Sequence, residues 1–500
     1  MLRRRPGGTG PGGAHDMTRE IRWVALSLAL GMTACGTTSA TPPVDAERPS
    51  EDTVAFVDVN VVPMDSERLL PHQTVVVRKG RIASLGPADS TSVPSDAVRV
   101  EGQGRYLMPG LVDMHLHLVP GTGQPEDPAG QVLSLLLANG VTSARALGGP
   151  KDTPLVVRNR VARGEVLGPT LYVAGPSLHG RSVQGPEQVR QRVREYKAAG
   201  YDLLKTHGSL GRETYDAMMA EARARGLVVS GHVTPDVGLF HALESGQQIE
   251  HLDGYLNELL PENDPARAEV GQVEVGAALD RMDAARIPAL AEATRKAGVW
   301  SSPTLALFET VTSPDGAEPL RSRPELRYVS QAAVTAWTQM ASSDPQMEGV
   351  PTERKRRFAE LRRELVRGLY TAGAKLLVGS DSPQLFMVAG FAVHREMEAL
   401  AAAGIPAYGV LEAATRNPAE FMREADTWGT VARGKRADLL LLNANPLEDV
   451  KNTRAIAGVM VRGHWLPRDE LDALLERTAV VANAPPRAKK SVATAASQAP

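Results

Sequence analysis

Two histidines one residue apart end a short apolar run, MPGLVDMHLH, at residues 108–117. In a β-strand the side chains at positions i and i+2 point to the same side, so His115 and His117 should project together from the C-terminal end of such a strand. Two imidazoles on one side supply half of a metal site. The same spacing also fits a strand end with two solvent-facing histidines, so the rest of the chain has to decide between these readings.

The middle of the chain repeats one pattern, in which a helix-like stretch ends at a glycine and is followed by a short β-rich run and a polar residue. Glycine is expected just past a helix because it adopts the left-handed conformation without a Cβ clash. Such runs occur at residues 111–114, 141–147, 170–174, 203–206, 227–230, 247–249, 299–302 and 375–379. This alternation predicts an α/β fold, a (β/α)8 TIM-like barrel whose active site lies at the C-terminal ends of its strands.

Further side chains able to bind a metal stand at the ends of these runs. They are Lys205 on the fourth run, His232 on the fifth, His251 on the sixth and Asp381 on the eighth. Each alone has an ordinary structural explanation, such as a surface lysine, a core histidine or a helix-capping aspartate. Their joint placement with His115 and His117 at one barrel mouth favours a metal site, and imidazole with carboxylate suits zinc or a similar divalent cation.

Lys205 is unusual because an ammonium group at the end of an apolar strand would repel cations. Buried unpaired lysines are rare. Burial lowers the pKa of an amine, and a neutral amine is nucleophilic. Carbamylation by carbon dioxide would turn Lys205 into an anionic oxygen ligand able to bridge two metal ions. The alternative is an unmodified lysine that reaches solvent or binds substrate.

Composition limits the class of partner. The chain has 500 residues, of which 42% are hydrophobic and 23% charged, enough for a large core and more than one domain. A formal net charge of -2 and a pI of about 6.6 provide no basic field for a phosphate backbone. We therefore expect a small-molecule substrate and no nucleic acid, with a homo-oligomer left open.

The N-terminus has the layout of a secretory signal. Arg19 and Arg22 precede ten largely apolar residues, 23–32, which end at the small residues Thr-Ala-Cys-Gly around Cys35. Ten residues are too few to span a bilayer. The segment resembles a bacterial lipobox, so we expect lipidation of Cys35 and a periplasmic or outer-membrane-anchored lipoprotein that meets the membrane only through this anchor. The alternative is an ordinary signal cleaved near Ala34, and either Met1 or Met17 could be the start.

The sequence predicts six segments. They are a signal peptide at 1–35, a flexible linker at 36–52, the first part of a small β domain at 53–108, the barrel at 109–425, the second part of the β domain at 426–470, and a short helix with a disordered tail at 471–500. Because the two β-rich parts flank the barrel, we expect one small β-sandwich domain built from both chain ends.

Several of these segments resemble the metal motifs of the amidohydrolase superfamily, in particular its imidazolonepropionase-like and prolidase-like branch. The segments similar to metal motifs are MPGLVDMHLH (108–117), DLLK (202–205), SGHV (230–233), IEHL (249–252) and VGSDS (378–382). NPAE (417–420) and GTVARGKRADL (429–439) resemble the return of that superfamily's chain into its small β domain. The resemblance runs from about residue 54 to 466. One departure is Ala146, where relatives often carry aspartate.

The resemblance implies a binuclear centre. His115, His117 and Asp381 would hold one divalent ion, and His232 and His251 would hold the second. Carbamylated Lys205 would bridge the two ions, with zinc as the expected metal. A hydroxide held by the metals would attack the carbonyl, and Asp381 would be the catalytic residue that transfers its proton to the leaving nitrogen.

Four residues are candidates for substrate contact: His179, His207, Tyr255 and Arg145. Each has an ordinary alternative, since Arg145 could satisfy barrel carboxylates, Tyr255 could pack on a helix and His207 could cap one. The arginine-rich stretch 354–370 is interpreted as a solvated helix face.

The function expected from these features is that of an exported metal-dependent amidohydrolase. It would hydrolyse an amide or peptide C–N bond in a small substrate, such as a dipeptide, an N-acyl amino acid or a cyclic amide. The alternatives are a mononuclear deaminase-like or imidazolonepropionase-like hydrolase, which would not need Lys205, and a non-catalytic binding protein on the same fold, which would not need Lys205 together with Asp381.

Overall fold

The structure is a computed structural model that describes residues 53–268, 271, 273–343 and 347–484. These residues belong to one compact unit. The predicted signal peptide, Cys35, the linker up to residue 52 and the final residues 485–500 lie outside the described part.

The structure has sixteen strands among the described residues, and they form three sheets. In chain order they are β1 (Thr53–Val61), β2 (Leu70–Arg78), β3 (Arg81–Pro87), β4 (Val98–Glu101), β5 (Tyr106–Pro109), β6 (Leu111–His117), β7 (Val141–Gly148), β8 (Thr170–Val173), β9 (Leu203–Thr206), β10 (Val228–Gly231), β11 (Gln248–Glu250), β12 (Trp300–Ser302), β13 (Lys375–Leu376), β14 (Leu439–Leu442), β15 (Ile456–Val461) and β16 (His464–Pro467).

Strands from both ends of the described chain share one mixed sheet. Its order is β16-β15-β14-β5-β1-β2-β3, with β4 paired to β1. The antiparallel pair β1–β2 places Val54 opposite Val77 and Phe56 opposite Val75, and these side chains form an apolar core with Leu439 from β14. These strands pair into a single sheet, and the β-sandwich domain expected from the sequence stays a prediction.

The strands β6 to β13 are parallel and form two sheets. One has the order β6-β7-β8, and the other has the order β13-β12-β11-β10-β9. Single bridges connect them, from Ala174 to Leu203 on one side and from Leu116 to Ser382 on the other. Each of the predicted β-rich runs overlaps one of these strands.

Helices separate the parallel strands. They are α1 (Pro128–Ala138), α2 (Thr153–Ala162), α3 (Pro186–Ala199), α4 (Arg212–Ala224), α5 (Leu239–Ser245), α6 (Tyr255–Leu259), α7 (Ile287–Ala297), α8 (Leu305–Val311), α9 (Glu318–Arg321), α10 (Gln331–Ser342), α11 (Thr352–Thr371), α12 (Phe391–Ala402), α13 (Ala407–Ala414), α14 (Arg416–Phe421) and α15 (Arg468–Ala482). Short 3-10 turns lie at Pro265–Ala268, Ala277–Arg281, Ala284–Arg286, Pro324–Tyr328 and Val450–Arg454. Helix α3 ends at Gly200, whose φ of 87° is the left-handed cap that the sequence pattern predicts.

Helix α11 is not the solvated helix that its arginines suggest. One of its faces is buried and consists of Phe358, Leu361, Arg362, Leu365, Val366 and Leu369. The prediction was wrong for that face because charged residues dominate the composition while the apolar residues recur at helical spacing. The buried face also carries an arginine, Arg362, which bears on the metal centre.

No helix among the described residues has the length and apolar character needed to cross a bilayer.

Candidate metal centre

Three of the predicted ligands converge at the ends of β6 and β13. Potential ligand atoms of His115, His117 and Asp381 all lie within 4.8 Å of one another. Asp381 Oδ1 is 2.9 Å from His117 Nε2 and 3.4 Å from His115 Nε2. The two imidazole rings are stacked with their centroids 5.5 Å apart, as expected for side chains at i and i+2 of one strand.

The burial of these three side chains differs. His115 is fully buried, Asp381 is nearly so, and 42% of the His117 side chain is exposed. His117 therefore lies where the cluster meets solvent, which is where a substrate would arrive.

Buried Asp113 ties the strand that carries the histidines to the loop that carries Asp381. Its carboxylate accepts hydrogen bonds from the backbone N–H of Ser380 (3.0 Å), from the Ser380 hydroxyl (2.6 Å) and from the N–H of His115 (3.1 Å). The backbone of β6 and the backbone of this loop approach closely, since a Cβ added to Gly379 would lie only 2.8 Å from the Cβ of His115. Asp381 follows in the left-handed region with a φ of 53°, a conformation that aspartate tolerates better than most residues.

Three other residues orient the histidines. The Nδ1–H of His115 donates to Glu250 Oε2 (2.8 Å) and that of His232 to Asp253 Oδ2 (2.8 Å). His251 Nδ1 is hydrogen-bonded to the Thr304 hydroxyl at 2.9 Å. A partner on Nδ1 leaves Nε2 as the nitrogen that can bind a metal, which is the usual arrangement around metal-binding histidines.

Glu250 is part of a buried charge network beneath His115. Its Oε1 accepts hydrogen bonds from Arg145 Nη2 (2.6 Å) and from the Ser230 hydroxyl (2.5 Å). Arg145 also donates to the Met114 carbonyl at 2.6 Å. Because Arg145 is fully buried and paired with this carboxylate, the structure does not support the predicted contact between Arg145 and substrate. Arg145 instead balances the charge of Glu250.

Lys205 lies at the end of β9 beside the cluster. It is buried, and its Nζ is 3.3 Å from His115 Nε2. Burial lowers the pKa of Lys205 and so shifts its equilibrium toward the neutral amine.

His232 and His251 extend the cluster away from His117. The ring centroid of His251 is 4.7 Å from that of His115 and 4.7 Å from that of His232. His251 Nδ1 lies 3.8 Å from Asp381 Oδ2. The six predicted ligands thus occupy one connected group.

Electrostatics keep the ligands in the forms that bind cations. Burial and the nearby Lys205 lower the pKa of His115 to about 4, and burial holds the pKa of His251 well below its ordinary value. Burial opposes ionisation of Asp381, but the charges of His115 and His117 outweigh it and lower the pKa of Asp381 to about 2. At neutral pH His115 and His251 are therefore neutral and Asp381 is ionised.

These residues fit a divalent cation. The Oδ1 atom of Asp381 is buried and has no hydrogen-bond partner among the described residues, although an unpaired buried carboxylate oxygen is costly. It faces two imidazole nitrogens, and carboxylate with imidazole is the donor set that zinc and similar ions prefer.

The remaining predicted substrate residues lie in different places. The ring of His207 is 4.3 Å from that of His232, so His207 borders the cluster. The Nδ1 of His207 accepts the N–H of Gly208, and that of His179 accepts the N–H of Arg181. Tyr255 does not face the cluster, because it is fully buried and its hydroxyl lies 2.6 Å from the Thr294 hydroxyl on α7. The structure therefore does not support a substrate contact for Tyr255.

Sequence reasoning missed the residues that hold the ligands. Glu250 directly precedes His251 and Asp253 follows it by two positions, so their place in that motif was the available signal. Thr304 and Arg362 lie 53 and 111 residues beyond His251, and no local pattern marks them.

Comparisons with known proteins agree with this geometry. A model of the amidohydrolase family matches residues 106–466. The chain is 30% identical over 203 residues to an adenine deaminase of Paracoccus denitrificans, covering 37% of this chain and 33% of the relative. It is 28% identical over 211 residues to an imidazolonepropionase of Stenotrophomonas maltophilia, covering 41% and 46%. The chain thus spans a third to about half of the length of these curated relatives.

Solved structures cover more of the chain. A proposed prolidase from Bifidobacterium longum is 25% identical with a TM-score of 0.61, covering 86% of this chain and 100% of that one. A bottromycin amidohydrolase is 25% identical with a TM-score of 0.66, covering 87% and 92%. A Xaa-Pro dipeptidase with bound methionine is 18% identical with a TM-score of 0.62, covering 83% and 100%, and shows similarity of fold.

Proposed function

This chain belongs to the amidohydrolase family, and on that premise we propose that it is an exported metal-dependent hydrolase of amide or peptide C–N bonds in a small substrate. The observation that carries the proposal is the cluster of His115, His117 and Asp381 beside buried Lys205. A catalytic role explains why ionisable groups that are costly to bury are collected at one place.

We also propose that the eight parallel strands close into a TIM-like barrel. The support is hydrogen bonding across both gaps between the two parallel sheets. Met114 N donates to Val378 O at 2.8 Å, and Asp202 N donates to Val173 O at 2.9 Å. Closure would place all strand ends, and therefore all six predicted ligands, around one mouth.

In the proposed centre His115, His117 and Asp381 would hold one divalent ion, and His232 and His251 would hold the second. When bound, such ions lower the pKa of water from 15.7 toward about 7 and polarise the substrate carbonyl. Zinc is our proposal for both, because the donors are imidazoles and one carboxylate.

Lys205 would bridge the two sites as a carbamate. The neutral Nζ, favoured by burial, would form a bond to the carbon of carbon dioxide and release one proton to solvent. The product is anionic and offers two oxygen atoms, whereas an ammonium at this position would repel both ions.

Asp381 would transfer the proton of the hydrolytic step. It would accept a proton from the attacking water and deliver it to the nitrogen that leaves as the C–N bond breaks. His179 and His207 remain our proposed substrate contacts. In their neutral forms an Nδ1 atom that accepts a backbone N–H leaves Nε2–H as a donor for a substrate oxygen.

Dipeptides, N-acyl amino acids and cyclic amides are the proposed substrates. Dipeptides are favoured by the similarity to the proposed prolidase, which extends over nearly the whole of that chain. A mononuclear deaminase-like or imidazolonepropionase-like reaction is the second candidate, because curated relatives carry those names.

Export and lipidation of Cys35 complete the proposal, supported by the basic, apolar and small-residue order of the N-terminus. Fractionation of expressing cells tests this part. Recovery of a full-length protein with an intact N-terminus in the cytoplasm would contradict it.

The activity is tested by incubating the purified full-length protein with panels of dipeptides, N-acyl amino acids, cyclic amides and adenine. We expect release of an amine or amino acid from one of the first three panels, loss of that activity after chelation, and recovery with added zinc. Release of ammonia from adenine alone would favour the deaminase reading. No turnover on any panel by protein that contains metal would favour the binding protein.

A further inference from the structure

Arg362 is a buried cation that has no role in the proposed mechanism. It lies on the inner face of α11, and its surface is 1% exposed. A buried guanidinium loses its hydration, so it is expected to have partners that offset this cost.

The polar partners of Arg362 are backbone carbonyls. Its Nη2 donates to the carbonyl of His251 at 2.6 Å and to that of Pro303 at 3.2 Å. The guanidinium carbon lies 3.7 Å above the centre of the Phe308 ring, a cation–π arrangement that stabilises the charge on its apolar side. Its Nε has no hydrogen-bond partner among the described residues.

The two carbonyls belong to turns in a sparsely populated conformation. His251 and Leu252 have φ values of 63° and 57°, and Thr304, directly after Pro303, has a φ of 49°. Such values are unfavourable for residues with a Cβ, more so for a branched residue such as threonine, and persist where the surroundings hold them.

Both turns act on the same imidazole. The first carries His251 itself, and the second carries Thr304, whose hydroxyl bonds His251 Nδ1. The Arg362 guanidinium therefore binds the backbone of His251, a proposed ligand, and the backbone of Pro303, which precedes the hydrogen-bond partner of His251, Thr304.

We propose that Arg362 is a positioning residue of the metal centre, which joins the turns of His251 and Thr304 so that the His251 imidazole faces the other ligands. The inference rests on the proposed function, because it takes His251 as a ligand. Arg362 acts through His251 and touches neither substrate nor metal.

The test compares Arg362→Met with Arg362→Lys and with the control Arg363→Met. Methionine keeps flexible apolar volume and removes the donors, while lysine keeps the charge and part of the hydrogen bonding. Arg363 is the matched control because it is the next residue on the helix, is partly exposed and pairs with Glu309 at 2.7 Å.

The readouts are zinc affinity, measured by competition with a chelator, and the visible absorption spectrum of the cobalt-substituted protein. We expect zinc affinity at one site to fall about 10- to 100-fold in Arg362→Met, the size typical for residues that orient metal ligands. The cobalt spectrum should change with it. Arg362→Lys should be intermediate, and Arg363→Met should match the wild type.

The outcomes separate the two claims. Wild-type zinc affinity and an unchanged cobalt spectrum in Arg362→Met, whatever its melting temperature, would overturn the positioning role. If that variant does not fold, wild-type affinity and spectrum in Arg362→Lys would overturn it. Absence of bound metal in the wild-type protein itself would instead contradict the proposed function.

Discussion

His115, His232 and His251 are held through their Nδ1 atoms by Glu250, Asp253 and Thr304. At the scale of single residues this is the strongest sign of a metal site, because the partner determines which nitrogen is presented. The spacing of the ligands along the chain made them predictable. Glu250 and Asp253 stand beside His251 in its motif, but the histidine that each one holds was not predictable, because a hydrogen bond between residues 135 positions apart, as between His115 and Glu250, leaves no local pattern.

The first prediction concerns Glu250. In Glu250→Gln the carboxylate that orients His115 is lost, so we expect zinc to bind about 10- to 100-fold more weakly in a chelator competition. Buried Arg145 also loses its counter-charge, and the free energy of unfolding should fall by about 3 kcal/mol.

The control for this variant is Glu420→Gln. Glu420 pairs with Lys375 at 2.7 Å near the surface, so its removal should change the free energy of unfolding by less than about 1 kcal/mol. Unchanged zinc affinity in Glu250→Gln would show that this carboxylate does not orient a ligand.

The second prediction concerns Asp381. Asn cannot accept the proton from the attacking water, so Asp381→Asn should lower kcat about 10²- to 10⁴-fold on the substrate found in the panels. Asp216→Asn, on the exposed face of α4, should turn over at the wild-type rate. Near wild-type turnover of Asp381→Asn that carries its full metal content would exclude Asp381 as the proton carrier.

At the scale of elements, the parallel strands were predictable. For the long helix α11 the helical conformation was predictable, but its buried face was not. Each of the strands β7 to β13 follows a helix that ends at or near a glycine, and that punctuation is local in the sequence. Helix α11 was placed on the surface because of its many arginines, and all of its first six residues are polar or charged, whereas its burial depends on what packs against it. Propensity and composition do not report tertiary neighbours.

The helices α8, α11 and α12 lie close together next to the turn that contains Thr304. Glu396 on α12 is fully buried and accepts the backbone N–H groups of Leu305 (3.0 Å) and Ala306 (2.8 Å) at the start of α8. Burial raises the pKa of Glu396 to about 8 despite these hydrogen bonds; Glu309 on α8 raises it further, and Arg362 on α11 opposes the shift.

The third prediction follows from this raised pKa. Between about pH 4.5, where an unfolded glutamate ionises, and about pH 8, the folded protein keeps a proton that the unfolded chain releases. The contribution of Glu396 to the free energy of unfolding should therefore decrease as the pH rises through this window and level off above it.

Glu396→Gln should remove this dependence, because glutamine does not ionise. Urea unfolding at pH 5 and pH 8 measures it, with Glu398→Gln as the control, since Glu398 is on the same helix, partly exposed and paired with Arg454. An equal change between the two pH values in wild type and Glu396→Gln would mean that Glu396 is ionised throughout.

At the scale of the whole molecule, the sequence predicted which residues meet, and its division of the chain into segments stays a prediction. The six proposed ligands lie on parallel strands or after their ends, spread over residues 115–381, and the structure brings them into one group. Alternation of strands and helices determines such a meeting, because parallel strands end at one side. The boundaries between the β layer and the α/β part depend on packing, and β5 and β6 are separated only by Gly110.

The central claim is a bridged pair of metal ions, and elemental analysis tests it most directly. The samples are the full-length protein, Lys205→Ala, and the control Lys435→Ala, whose ammonium donates to the Ala425 carbonyl far from the ligands in the chain. We predict about two zinc ions per chain in the wild type and the control, and about one or fewer in Lys205→Ala. One ion or none in the wild type, unchanged by Lys205→Ala, would contradict the bridged centre.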